Sequence, residues 1–277
     1  MPELPEVDSA RAVIAAAALH RPIADVDDTD RWECRPHGPG EIRSALLGRT
    51  LSEVHRRGKS LWCETGGVDG SADAGPILGL HLGMSGRIVI TAADGASIEG
   101  GDYFRDGRSA AEQADAHPEW TRFSITFADG GALRLFDKRR LGRVRLDPDI
   151  DALGPDAAGI PRRVFVERVP RGHAAIKARL LDQSVIAGVG NLLADETLWQ
   201  ARIDPRRPVD ELSAGELARL HECLVAATDS AIRLGGVHTG EIVEHRHVGG
   251  HCPRCGTELR RATVAGRTTF WCPKEQT

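Results

Sequence analysis

The chain has 277 residues, 41% hydrophobic and 27% charged, with a net charge of −4. That composition excludes a disordered or fibrous protein and allows one large domain or two ordinary ones. No apolar run approaches the roughly 20 residues that span a bilayer, and the start MPELPEVDSARAV lacks a cationic leader, so a cytoplasmic protein is expected.

Proline, early acids and then SARAVIAAAALH predict a helix over residues 5–20. From 40 to about 146 the texture changes. LSEVHRR, SLWCE, PILGLHLG, GRIVITA, RFSITFADGG and ALRLFD alternate with Gly- and Asp-rich turns, the pattern of strands in a sandwich or barrel. Residues 96–120 read as an insertion between strands. Residues 131–145 hold six basic residues and one acid, a positive stripe on a mildly acidic chain. Asp, Pro and Gly then mark a linker. Beyond it, HAAIKARLLDQSVIAG, NLLADETLWQA and SAGELARLHECLVAATDSAIRLGG have helical spacing, the last stopping at Gly235–Gly236. The expected class is α+β and multidomain. An N-terminal catalytic domain covers 1–146, a linker 147–165, a helical domain 166–240 and a metal hairpin 241–277.

Cys34, Cys63 and Cys223 are scattered and read as ordinary thiols. Cys252 and Cys255 form a C-x-x-C knuckle, and Cys272 follows, so a single structural zinc ion is expected. Glu275 stands where a zinc ribbon has its fourth cysteine. His251, His247 or no fourth ligand are the alternatives. A hairpin this small has too little core to fold by burial alone. Its loop carries Arg260, Arg261 and Arg267, which suit phosphate contacts.

The other chemical signal is the N-terminus. Removal of Met1 would leave Pro2 with a secondary amine, whose ordinary pKa near 8 leaves a useful neutral fraction. Such an amine can attack a sugar C1′ and give an iminium. Glu3 and Glu6 stand beside it, and Glu3 can move protons between steps.

Several motifs then agree. MPELPEV at 1–7, RRGKSL at 56–61, HLGMSGR at 81–87, FDKRRLG at 136–142, AIKARLLDQSVIAGVGN at 175–191 and the GRTTFWCP hairpin occur in one order across the chain. Together they resemble the formamidopyrimidine-DNA glycosylase and endonuclease VIII family, and MPELPEV is closer to the formamidopyrimidine branch. The resemblance implies an N-terminal helix and β-sandwich domain, and a C-terminal helix-two-turn-helix domain with a zinc-finger β-hairpin. Damaged DNA would lie in the cleft between them. It also implies base-excision repair: excision of oxidised bases through the Pro2 amine, then β,δ-elimination at the abasic site. Pro2 would be the nucleophile, Glu3 the acid, and Lys59 a phosphate-binding catalytic lysine. Glu6, Lys177, Asn191 and Arg267 would contact DNA, Asn191 also serving as a helix N-cap. Base flipping leaves a vacancy. Met84 would wedge into it, while Arg139 and Leu141, two apart in extended backbone, would point together at the orphaned base.

Two departures bear on specificity. Leu141 stands where the formamidopyrimidine branch has Phe, and the segment from Gly236 to Cys252 is short where that branch carries a longer closing loop. Oxidised pyrimidines or hydantoins are therefore an alternative to 8-oxoguanine. The partner is double-stranded DNA with oxidised bases or abasic sites, met by a monomer. A non-catalytic DNA-binding or damage-sensing module would keep the same scaffold. A zinc-ribbon transcription factor would leave the N-terminal motif unexplained.

Overall fold

The computed structural model describes residues 2–67, 74–102 and 109–277. The chain divides into two compact units, Met1–Pro2 with Glu6–Ile150, and Glu3–Pro5 with Asp151–Thr277.

In the first unit, helix α1 (Leu4–Ala17) is followed by β1 (Ile23–Asp27), α2 (Glu41–Leu46), β2 (Thr50–Arg57), β3 (Ser60–Gly66), β4 (Leu78–His81), β5 (Arg87–Thr91) and β6 (Ser97–Gly101). Then come α3 (Ala110–Ala116), β7 (Thr121–Phe127), β8 (Ala132–Phe136) and β9 (Arg143–Leu146). All pairs are antiparallel. One sheet has the order β1-β7-β8-β5-β6 and the other β2-β3-β4-β9. Alternation along each strand gives each sheet one apolar face. Ile88, Ile90, Ile125, Leu133 and Leu135 of the first sheet share a core with Leu51, Leu61, Leu78, Leu80 and Val144 of the second. Val7, Ala10 and Ile14 of α1 join it. This is the expected sandwich. Cys34 and Cys63 are free thiols buried inside it, and burial pushes both up to about 12.

Four elements depart from the sequence reading. The acidic stretch 25–30 holds the end of β1, with Ile23 and Val26 turned inward and Asp25 and Asp27 paired to β7 as an edge strand. Helix α2 starts at Gly40, and the buried Asp28 carboxylate supplies its cap, accepting from the N–H groups of Gly40, Ile42 and Arg43 at 2.7, 2.9 and 3.1 Å. The stretch read as an insertion contains β6, a full partner of β5, and α3, closed by a Ser109–Glu112 capping box. Residues 103–108 of that stretch lie outside the described residues.

The second unit carries α4 (Arg162–Arg168), α5 (Ile176–Leu181), α6 (Asn191–Gln200), α7 (Ala214–Leu234) and the hairpin β10 (Arg260–Val264) and β11 (Arg267–Trp271). Helix α4 begins inside the expected linker because Phe165 has a core to enter. Ser213 and Glu216 box the start of α7, and Gly235, at φ 92°, ends it. Trp199, Ile242, Leu259, Phe270, Cys252 and Cys272 form a small separate core beneath the hairpin. No helix among the described residues is long and apolar enough to cross a membrane.

Candidate functional site

The first turn of α6 organises the second unit. Its N-cap is Gly190, with no side chain to offer, and Asn191 is the first helical residue, so the expected Asn191 cap is corrected. The cap comes from Glu3. One carboxylate oxygen accepts from Leu192 N–H at 2.8 Å and the other from Leu193 N–H at 3.1 Å, while Leu4 N–H reaches Gly188 O at 3.3 Å. A helix start favours an anion, both through free N–H groups and through the helix dipole. Glu3 is fully buried there. A β-carbon on residue 190 would lie 2.2 Å from the Glu3 carboxyl carbon, so only glycine admits this seat. Pro2 is buried as well, and Met1 lies outside the described residues. Glu6 is 2% exposed in the first turn of α1, a place that suits helix-dipole pairing rather than the expected DNA contact.

Asn191 donates from Nδ2 to Thr268 O at 3.0 Å, which ties the start of α6 to β11. Arg267, the first residue of that strand, is exposed after the tight turn at Ala265 and Gly266, where φ is 50° and 71°. Arg260 and Arg261, expected in the loop, lie instead in β10, with exposed side chains.

Lys177 corrects the sequence reading most sharply. Its side chain is wholly buried, and its ammonium donates to Asp195 at 2.6 Å and Thr269 Oγ1 at 2.7 Å. Burial lowers its pKa, and Asp195 opposes that shift. It therefore ties β11 to α5 and α6, in place of the exposed phosphate contact expected from the sequence. The other Asp195 oxygen accepts from Arg246 Nε at 2.8 Å and Phe270 N–H at 3.3 Å, and Arg246 also donates to Thr268 O at 3.2 Å. Asp195 is thus paired with two cations, Lys177 and Arg246, and the Lys177 charge is also felt by Glu3. The short segment after Gly236 folds as two 3₁₀ turns, Val237–Thr239 and Val243–His245, with Ile242 N–H on the buried Glu196 carboxylate at 3.0 Å.

Cys252, Cys255 and Cys272 bring their sulfurs within 4.8 Å of one another. Contacts with Thr257 pull the Cys255 thiol down to about 7, and burial holds Cys272 up at about 11. Three such soft donors are positioned to bind a zinc ion. Glu275 is not among the grouped ligands. Its carboxylate lies 3.2 Å from Arg202 and 3.8 Å from Arg254, which corrects the expected fourth ligand. His247 and His251 are outside the group too. Metal analysis should return one zinc per chain. Stripping it with a strong chelator should unfold the hairpin and change Trp199 fluorescence, since the indole N–H points at Cys252 Sγ from 3.4 Å. Unchanged fluorescence in metal-free protein would rule out a structural ion.

In the first unit, Lys59 sits in the β2–β3 turn beside Gly58, whose φ is 59°. Met84 is half-buried in the turn before β5, while Arg139 and Leu141 are exposed. The backbone from 137 to 142 is a turn, with Arg140 at φ 56°, and not the extended segment expected. Its organiser is the buried Asp137, which sequence reasoning missed. Asp137 accepts from Ser85 Oγ at 2.5 Å, from Arg139 N–H at 3.0 Å, and from the N–H groups of Leu141 and Gly142 at 2.8 Å each. Ser85 adjoins Met84, so one carboxylate ties the Met84 turn to the Arg139–Leu141 turn. A groove of about 430 Å³ opens next to Leu141, lined by Ser60, Trp62, His81, Arg143 and Arg145.

Family comparisons agree with this layout. The profile of the formamidopyrimidine-DNA glycosylase N-terminal domain matches residues 1–144, and that of its H2TH domain matches 152–242. The zinc finger found in FPG and IleRS matches 249–274. The chain belongs to the formamidopyrimidine-DNA glycosylase family. That family comprises bifunctional enzymes, DNA glycosylases that are also abasic-site lyases. The formamidopyrimidine-DNA glycosylase of Chloroflexus aggregans is 34% identical, over 99% of this chain and 98% of its own length. That of Geobacillus kaustophilus is 33% identical over the whole of both chains. Among solved structures, the Lactococcus lactis Fpg bound to DNA containing N7-benzyl-Fapy-dG superposes with a TM-score of 0.79 at 27% identity, covering both chains fully. The same protein bound to abasic-site DNA superposes at 0.78 and 26% identity, covering 99% of each chain.

Proposed function

We propose that this chain excises oxidised bases from duplex DNA and then cuts the strand at the abasic site. The Pro2 amine, freed by removal of Met1, is the nucleophile. The observation that carries this reading is the seat of Glu3: a buried carboxylate next in sequence to Pro2, held on two N–H groups of α6 by a glycine that leaves room for nothing else.

The amine lone pair attacks C1′ of a flipped nucleotide. The glycosidic bond breaks, the base leaves with the proton the amine gives up, and the C1′–O4′ bond then opens as Glu3 protonates O4′, which leaves an iminium between Pro2 and the opened sugar. Loss of the C2′ proton expels the 3′ phosphate, and a second elimination expels the 5′ phosphate. Glu3 moves protons between these steps. Lys59, Asn191 and Arg267 take phosphates. Met84 and Leu141 fill the vacated stack, and Arg139 meets the orphaned base. The zinc finger holds Arg267 and takes no part in bond changes. A lesion-bearing duplex is the substrate, with ring-opened purines and oxidised pyrimidines both in scope. The solved neighbours include complexes with each kind of DNA.

Borohydride trapping on an abasic-site duplex tests the mechanism. The mature protein should form a covalent adduct, and the same chain with Met1 retained should form none and lose nicking by roughly 10³-fold or more. Equal trapping by the Met1-retained chain would exclude the Pro2 amine. Tight binding without any nicking by the mature protein would leave only a damage-sensing module.

A further inference from the structure

Beneath the turn that presents Arg139 and Leu141, a second buried carboxyl group faces Asp137. Glu33 is fully buried, and its Oε1 accepts from Gly142 N–H at 3.1 Å, a donor it shares with Asp137. Its backbone carbonyl takes Val144 N–H at 2.9 Å, which fixes residue 33 against the start of β9. Its other oxygen, Oε2, is buried and has no hydrogen-bond donor among the described residues. A β-carbon on residue 142 would lie 2.5 Å from that oxygen and 3.3 Å from Asp137 Oδ2, so the two carboxyl groups converge on one glycine.

The donors are divided very unequally. Among the described residues Asp137 receives four, three of them backbone N–H groups and the fourth the Ser85 hydroxyl. Glu33 receives one shared N–H. A buried carboxylate with a bare oxygen beside a second carboxylate carries a large desolvation and repulsion cost, and binding one proton removes both. Asp137 is the better solvated anion, so Glu33 is the group that keeps the proton. The other charges nearby do not alter this. Asp30 adds negative charge but is itself held by Arg140 at 2.9 Å and Arg122 at 3.7 Å. Arg140 is the cation whose charge Glu33 feels, His81 lies across Gly142 through its carbonyl, and Cys34 stays a neutral thiol.

We propose that Glu33 is a positioning residue: it carries a proton shared with the Asp137 carboxylate, and the pair locks the 137–142 turn that presents Arg139 and Leu141 beside Met84. The inference rests on the function proposed above for those three side chains. Burial, with Asp137 and Asp30 nearby, pushes the Glu33 acid up to about 8 from its ordinary 4.5. It is therefore protonated at neutral pH and ionises in mild alkali, where two adjacent anions would spring the turn.

The expected signature is an alkaline limb. The kcat/KM for nicking an abasic-site duplex should fall with a midpoint near 8, and Glu33→Gln, which keeps a neutral donor toward Asp137, should lack that limb while staying within about threefold of the natural chain at neutral pH. Glu33→Ala should lose activity at every pH. Stability gives an independent readout. The folded acid binds its proton more tightly than the unfolded one, so unfolding releases a proton between the two pKa values. Stability should thus decline as pH rises from about 4.5 to about 8 and level off above, and Glu33→Gln should lack this component. Carboxyl carbon NMR of the natural chain, with Glu33→Gln assigning the signal, should show a midpoint near 8. A midpoint near 4.5, or the same limb in both chains, would overturn the proposal. Absence of nicking by the natural chain would instead strike the functional reading, and the NMR midpoint would still decide the state of Glu33.

Discussion

Gly190→Ala should slow base excision by about 10²–10⁴-fold, the range lost when a proton-transfer group is misplaced, and leave zinc content unchanged. The new methyl would meet the Glu3 carboxyl group at 2.2 Å, and that group is the movable partner. It would leave the Leu192 and Leu193 N–H groups, and the start of α6 would lose its cap. Overpacking and cap loss together should cost about 1–3 kcal/mol. Glu3→Gln is the control, since it keeps the shape but not the charge. Single-turnover excision, measured beside duplex affinity, separates the two effects. An alanine variant as fast as the natural chain would show that the seat of Glu3 does not matter to the chemistry.

Lys177→Met should destabilise the second unit by about 3 kcal/mol, the low end of what breaking a buried pair costs, because Arg246 still holds one oxygen of Asp195. The variant leaves Asp195 paired with Arg246 and without Lys177. Lys177→Arg should not rescue it, since a planar fork does not fit a site built around one compact ammonium between Asp195 and Thr269. Denaturant unfolding followed by tryptophan fluorescence measures the loss. DNA affinity should fall as well, because Thr269, which Lys177 holds, adjoins the carbonyl shared by Asn191 and Arg246. A stability unchanged within about 0.5 kcal/mol would mean that the pair contributes nothing net.

How far the fold could be read from the sequence depended on the range of the interaction responsible. The start of α7 was legible because Ser213 and Glu216 cap it from within three residues, and its end because Gly235 has the one conformation that stops a helix there. The strands of the sandwich were legible from alternation, and the three grouped thiols from spacing. The starts of α2 and α6 were not. Each begins at a glycine and is capped by a carboxylate from elsewhere in the chain, Asp28 in one case and Glu3 in the other. No local pattern announces such a cap. Strand β1 was hidden for a different reason: it is an edge strand whose outward positions are Asp25 and Asp27, so its composition reads as loop.

The same distinction holds at the candidate site. Residue types and order put forward Pro2, Glu3, Lys59, Asn191 and Arg267, whose roles remain part of the proposal above. They misplaced Lys177 and Glu275, because a charged side chain looks the same in sequence whether it faces phosphate, pairs with Asp195, or binds Arg202. Asp137 was passed over inside a basic stripe that seemed to need only its cations. Its role rests on three backbone N–H groups folded around it, and no residue count contains them.

The Glu3 seat also has a consequence for biosynthesis. Glu3 and Leu4 are synthesised about 184 to 190 positions before their partners Gly188, Leu192 and Leu193. Until α6 is made, the Glu3 carboxylate lacks the N–H groups that hold it, and contacts so distant along the chain form slowly. A nascent chain therefore carries Glu3 long before it owns the helix start that gives this carboxylate its seat.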